Sequence, residues 1–421
     1  MRARFRPRST WAPRGHVSCW RFRAGLSLAA GYSLAAGPPP PVVTAHRGAP
    51  ATGVADTVPG LAWADSLVRA EFARDSLAGL TVGVVSGDRL VWTVSHGLAD
   101  MGTRRPASRH TVYRIGSVTK MFTGLMLQQL LAAGTVRLSD PVARFYPDIA
   151  RVRGLPAGAA PVSVGQLATM TGGLAAEPAQ EGAFWTGPVG RWEATLAAAL
   201  PHARYEAAPG TRYAYSNLGY AVLGAALARA ARTPYVDWER DRILTPLGMA
   251  HTAFEPDAAL RADLARGYEI DERGVADTAG PARELREGRG YKVPNGALFT
   301  TVNDLARFVR FELGRGPDAV LPRARLDSAY AGVVATSADL DVGYGLGFMV
   351  QRRGDFTWVG HSGGVPGYAA MVYFDREHQL GVILLRNATG GRVRPNRLAS
   401  DLLRGLVDAK LRAGRAERAG V

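Results

Sequence analysis

Ser117 and Lys120 stand three positions apart in Tyr113-Arg114-Ile115-Gly116-Ser117-Val118-Thr119-Lys120-Met121-Phe122, a stretch that turns apolar around them. On a helix that spacing puts both side chains on one face, one turn apart. At a helix N-terminus, backbone N–H groups and the positive end of the peptide dipoles point at whatever the serine oxygen attacks. Lys120 lies among Val118, Met121 and Phe122. Full burial lowers an amine's pKa by up to about 3–5 pH units. A neutral amine beside Ser117 is a general base for a nucleophilic hydroxyl. Alone, Ser-x-x-Lys is a weak signal; its position at the head of a buried helix strengthens it.

Two further groups follow in order. Tyr215-Ser216-Asn217 directly precedes a helical stretch from about Leu218. A phenol whose pKa is lowered by neighbouring cations relays protons between nucleophile and leaving group. The Asn217 amide can bind a substrate carbonyl while orienting a lysine, or it can serve simply as a helix N-cap. His361-Ser362-Gly363-Gly364 comes late, where glycines let a backbone approach a ligand closely. An N–H there, paired with that of Ser117, makes an oxyanion hole, each donor being worth about 2.7–4 kcal/mol in the transition state. A plain Gly-rich turn between strands is the competing reading of the same residues.

The elements that must position these groups are legible from patterning. Residues 60–78 have helical apolar spacing, and Leu80–Ser86 with Leu90–Ser95 read as a hairpin around Gly87-Asp88. Val118 to Ala133 is apolar almost all round and Gly134 ends it, as expected of a buried helix. Helices are expected at Asn217–Arg232, Val236–Leu244 and Val302–Leu313, and a surface loop over the charged, Gly-rich Glu269–Gly290. Strand-like runs come late, at Leu346–Arg352, Phe356–Val359, Tyr368–Phe374 and Gly381–Leu385; a basic amphipathic helix, about Arg394–Leu411, closes the chain. Strands at both ends with helices between predict an α+β fold. One antiparallel sheet is flanked by helices, with an inserted, mainly helical lobe. The expected division is a signal-like or disordered segment over 1–58 and one folded domain over 59–415. Within it the core would take 59–120 and 296–415, and the helical lobe 121–295.

Composition narrows the function classes. With 47% hydrophobic and 21% charged residues, the chain has the apolar content to build a core. Its single cysteine, Cys19, excludes an internal disulfide framework. The net charge of +15 sits at the ends: residues 1–50 hold eight Arg and no acid, and residues 391–421 eight basic residues against three acids. The body between is close to neutral and offers no basic groove for nucleic acid. Ala24–Gly37, a small-residue apolar run after many arginines, reads as a secretory signal and predicts export to the periplasm or the exterior. No other segment is long and apolar enough to predict a membrane span.

Taken together, the Ser-x-x-Lys, Tyr-x-Asn and His-x-Gly elements resemble, in order and spacing, those of the serine β-lactamase-related superfamily in its class C branch. That branch holds β-lactamases, D-Ala-D-Ala carboxypeptidases, D-aminopeptidases and β-lactamase-like esterases. Val164–Leu174, Asn295–Phe308, Gly343–Phe348 and Gly360–Gly367 extend the likeness. The resemblance implies Ser117 as the acylated nucleophile, with Lys120 and Tyr215 as the proton-handling pair. Asn217, His361 and Gly363 would lie on the substrate side, and the N–H groups of Ser117 and Gly364 would form the oxyanion hole. It implies no cofactor or metal, and a small-molecule or peptide substrate. His361 stands where class C β-lactamases carry lysine. That departure favours an esterase or D-amino-acid peptidase over an efficient β-lactamase, with a protonated His361 as the anchor for any substrate carboxylate. Met170 stands where many relatives have histidine.

Three other readings compete. Gly360-His361-Ser362-Gly363-Gly364 fits G-x-S-x-G, but an α/β-hydrolase using Ser362 needs a helix next and an acid and histidine downstream. Only His378 follows. The eight histidines show no H-E-x-x-H pairing. A non-catalytic penicillin- or peptidoglycan-binding protein would use the same cleft without turnover. Trp185 and Tyr291 are candidates for the pocket wall or for plain packing.

Overall fold

A computed structural model describes residues 46–47, 58–180, 183–331, 334–336, 341–354 and 356–419. The signal-like run and Cys19 lie outside the described residues. Among the described residues nine strands form one sheet: β1 (His46–Arg47), β2 (Leu80–Ser86), β3 (Arg89–His96), β4 (Val334–Ala335), β5 (Val342–Tyr344), β6 (Met349–Arg353), β7 (Phe356–Val365), β8 (Tyr368–Asp375) and β9 (Leu380–Arg386). Their order is β1-β3-β2-β9-β8-β7-β6-β5-β4, with every neighbour antiparallel. The first hairpin joins the late strands through β2 and β9, in register from Leu80 opposite Arg386 to Ser86 opposite Leu380.

Period-two alternation gives this sheet two apolar faces. Leu80, Val82 and Val84 of β2 and Leu380, Val382 and Leu384 of β9 face one layer, built by α1 (Leu61–Phe72) and the closing helix (Pro395–Ala419). Leu398, Leu402, Leu403 and Leu406 of the closing helix are buried there. Val85, Ile383 and Leu385 point the other way, into the larger core shared with α2 (Thr119–Ala132) and α3 (Asn217–Ala231). Each such apolar side chain contributes roughly 1.5–3 kcal/mol by leaving water. No described helix is long and apolar enough to cross a membrane.

Three sequence expectations change. The first helix stops at Phe72 instead of running to residue 78. Its last polar residues turn away at Asp75 and Ser76, which anchor the chain by side-chain bonds to Arg386 and to the Phe72 carbonyl. The strand expected at Phe356–Val359 runs on to Val365, so His361 to Gly364 lie within a strand, and Pro366-Gly367 makes the turn. Residues 269–290 lie at the surface over 271–280, as expected, but they hold short strands and a helix over Ala279–Glu287, and they bury Glu284 and Arg289. Glu284 finds its buried partners in Arg289 and the distant Arg114, a pairing that charge patterning along the chain does not reveal.

Candidate active site

The turn that carries Ser117 is fixed from both sides. Tyr113-Arg114 pairs with Phe299-Thr300, and the Ile115 N–H donates to the Leu298 carbonyl at 3.1 Å. Gly116 then takes a left-handed φ of 50°, which lets the chain wheel into the tight turn Gly116–Val118 and on into α2. β7 lies against this turn. A Cβ at Gly363 would sit 1.9 Å from the Ile115 carbonyl oxygen and 3.0 Å from the Ser117 nitrogen, so only glycine allows the strand to come so close. Gly364, next along, is exposed with open space beside it.

On α2, Lys120 is wholly buried. Its Nζ lies 3.0 Å from Ser117 Oγ, 2.7 Å from Asn217 Oδ1 and 3.1 Å from the Asn295 carbonyl oxygen. Burial drives its pKa well below the ordinary lysine value, Glu177 opposes that, and Lys292 and Arg289 reinforce it. A neutral amine donates its two N–H groups to the two carbonyl oxygens and turns its lone pair to the Ser117 hydroxyl. Tyr215 Oη donates to the same Ser117 Oγ at 2.8 Å. Here the expectation of a cation-lowered phenol is reversed: burial pushes the Tyr215 pKa up, past the ordinary value. Burial thus pushes the two partners of Ser117 in opposite directions, favouring a neutral amine at Lys120 and a protonated phenol at Tyr215.

Asn217 is the first residue of α3, and the cap is Ser216. Ser216 Oγ accepts the Gly219 N–H at 2.9 Å and donates to the Ala175 carbonyl at 2.7 Å. Asn217 is thereby released from capping for the bond to Lys120. Met170, buried with φ 60°, props this corner. Its carbonyl accepts the Ala214 N–H at 2.8 Å and its sulfur the Ser216 N–H at 3.3 Å.

His361 does not suit the role of protonated anchor. It is 2% exposed. Nδ1 donates to the Ser362 carbonyl at 2.5 Å, and Nε2 lies 2.9 Å from Tyr344 Oη, from which a neutral ring accepts. Burial is the largest cause that lowers its pKa, to about 3. Ser362 sits inside a strand followed by a hairpin, without the strand–turn–helix that an α/β-hydrolase nucleophile requires. His378 is engaged with Asp375 at 2.9 Å.

Sequence reasoning missed a charged wall behind Asn217. Glu177 Oε1 accepts Asn217 Nδ2 at 2.8 Å and Lys292 Nζ at 2.9 Å, and Tyr291 Oη donates to Oε2. Lys292 Nζ lies 3.7 Å from the centre of the half-buried Trp185 ring. Deeper in, Glu284 accepts from Arg114 and Arg289, each at 2.5 Å. Tyr291, offered as a pocket residue, is fully buried and acts through Glu177. The usable signal was composition: in an arginine-dominated chain, Lys120, Lys292 and Lys410 are the only lysines. Among the described residues no cluster of three or more His, Cys, Asp or Glu is placed to hold a metal ion.

A fold of helices around an antiparallel sheet, with a serine and a lysine at the head of the central helix, is that of the serine β-lactamases and their relatives. The sequence profile of the Beta-lactamase family matches residues 64–405, and the chain belongs to that family. It is 29% identical over 320 residues to the D-alanyl-D-alanine-carboxypeptidase/endopeptidase AmpH of Escherichia coli K12, covering 72% of this chain and 78% of that protein. The octameric penicillin-binding protein homologue from Pyrococcus abyssi superposes with a TM-score of 0.69 at 26% identity, over 83% of this chain and 77% of that one. A class C β-lactamase shares the fold with a TM-score of 0.66 at 19% identity, over 81% of this chain and 94% of the other.

Proposed function

We propose that the protein is a serine hydrolase that works through an acyl-enzyme on an ester or amide carbonyl. One observation carries the reading: Ser117 Oγ is held between Lys120 Nζ at 3.0 Å and Tyr215 Oη at 2.8 Å, groups whose pKa values are driven in opposite directions. The neutral Lys120 amine takes the Ser117 proton as Oγ bonds to the carbonyl carbon. The N–H groups of Ser117 and Gly364 hold the oxyanion. As the tetrahedral adduct collapses, the bond to the leaving oxygen or nitrogen breaks and the proton held at Lys120 passes to it, with the Tyr215 hydroxyl as the relay. Water then attacks the ester under the same base and frees Ser117.

The neutral, buried His361 leaves its position without the charge that would hold a substrate carboxylate, which favours esters over β-lactams. Likeness to AmpH brings D-alanyl-D-alanine peptides into the same group. The exported location expected from the N-terminal segment fits a substrate outside the cytoplasm. A panel of a short-chain nitrophenyl ester, a D-Ala-D-Ala peptide and a chromogenic cephalosporin tests the reading, with intact-mass analysis of trapped protein. The expected result is steady turnover of the ester or peptide, an acyl adduct on Ser117, and loss of about 10⁴-fold or more in kcat in Ser117→Ala. A single burst without turnover would instead make the cleft a binding site. An adduct on Ser362 would overturn the nucleophile.

A further inference from the structure

We propose that Glu177 is a positioning residue for the base, aiming the Asn217 amide at Lys120, and that Lys292 neutralises Glu177 so that its charge does not protonate that base. This rests on the serine hydrolase reading for its kinetic consequence, and on the geometry alone for its structural one.

An asparagine amide has an accepting end and a donating end of nearly equal size. Which one faces Lys120 decides whether the amine meets an acceptor or a competing donor. Glu177 settles this, because an ionised carboxylate only accepts. Its Oε1, 2.8 Å from Asn217 Nδ2, requires the NH₂ end, and Oδ1 is then left to accept from Lys120 at 2.7 Å. Asn295 completes the cradle: its Nδ2 donates to the Asn217 backbone carbonyl at 2.9 Å while its own carbonyl accepts from Lys120 at 3.1 Å.

The arrangement carries a hazard. A buried carboxylate one side chain away from the base favours the protonated amine, which cannot accept the Ser117 proton. The wall answers it with Lys292, paired to Glu177 at 2.9 Å and seated over Trp185, and with Tyr291 on the second oxygen. The other groups that face Lys120 add no anion: the phenols Tyr215 and Tyr220 place their ring centres 4.8 and 5.6 Å from Nζ. His361 is neutral in its buried bonds, and Arg289 acts in the same sense as Lys292. Removal of the wall's two members therefore moves the base in opposite directions.

The experiment uses the full chain and the variants Glu177→Gln, Lys292→Met and the double substitution, with two readouts. The first is the pH profile of ester turnover. Because the working base is the neutral amine, the rate rises with pH through the titration of Lys120. Lys292→Met should shift that acid limb up by about half to one pH unit. Glu177→Gln should shift it down and lower kcat about tenfold, since the amide loses its director. The double variant should return the limb toward the parent while keeping the loss in kcat. The second readout needs no activity: with three lysines in the chain, NMR titration of isotope-labelled lysine side chains follows Lys120 directly and should give the same two opposite shifts.

Limbs and amine titrations that stay in place in both single variants would overturn the proposal, whatever happens to thermal stability. Opposite amine shifts in a protein that turns nothing over would keep the positioning role and reject the hydrolase reading. Where Glu177→Gln does not fold, the upward shift in Lys292→Met alone decides.

Discussion

Lys120 and Lys292 reach the same asparagine from opposite ends, one through Oδ1 and the other through the carboxylate that holds Nδ2. Both are buried, at 0% and 6% exposure. Lys120 contacts only neutral oxygens, and burial takes its pKa well below the ordinary value. Lys292 has a carboxylate at 2.9 Å and falls only to about 8, so it remains mostly charged at neutral pH. Burial disfavours the ammonium in both cases. A counter-charge offsets that penalty at one and is withheld from the other. The active corner and the charged wall are thus made of the same residue type, put to opposite uses by their contacts.

The strongest way to break this contrast is to forbid neutrality at the corner. Lys120→Arg places a group that stays protonated in proteins, and kcat should fall roughly 10²–10⁴-fold, the span of a lost general base. Activity within tenfold of the parent would mean that Lys120 is not the base. Tyr215→Phe removes the held proton and keeps the ring. A loss of roughly 10²-fold is expected, larger for poor leaving groups than for nitrophenolate, and leaving-group dependence of kcat reads it.

His361 tests the same logic with an imidazole. Buried without a carboxylate, with its pKa lowered to about 3, it stays neutral from about pH 6 to 8. Binding of a carboxylate-bearing substrate to the Ser117→Ala protein should therefore be flat across that range; tightening toward pH 6 would restore the protonated anchor. The smallest effect is expected at Glu239, fully buried, whose carboxyl burial pushes up to about 8 from an ordinary 4.5. Between those values the folded state keeps a proton that the unfolded state has released, so stability falls as pH rises through them. Glu239→Gln cannot lose that proton, and its Tm should drop less than the parent's between about pH 5 and pH 9.

Much of the fold was legible because it rests on short-range pattern. The alternation of Leu80, Val82 and Val84, the apolar run after Ser117 and the turn at Gly87-Asp88 each specify an element locally. The candidate site was legible to the extent that its residues lie within helical reach or in ordered loops: Ser117 with Lys120, then Tyr215 with Asn217. Glu177, Lys292 and Asn295 were not, since their meeting depends on chain segments more than 100 residues apart. The glycines of β7 were read too modestly as well, because their strand continues past Val359 by pairing with β8 residue for residue as far as Val365.

What the sequence determined by itself is the set of elements and the placing of Ser117 and Lys120 on one face of a helix, because periodicity and spacing on one helix are properties of neighbouring residues. What only the tertiary structure decided is the charge state each environment favours: burial draws the Lys120 pKa down, pushes that of Tyr215 up and keeps His361 neutral, while Lys292 gains a carboxylate partner. Ionisation in a protein interior is set by the solvent removed and the charges brought near, and both come from parts of the chain that meet only on folding.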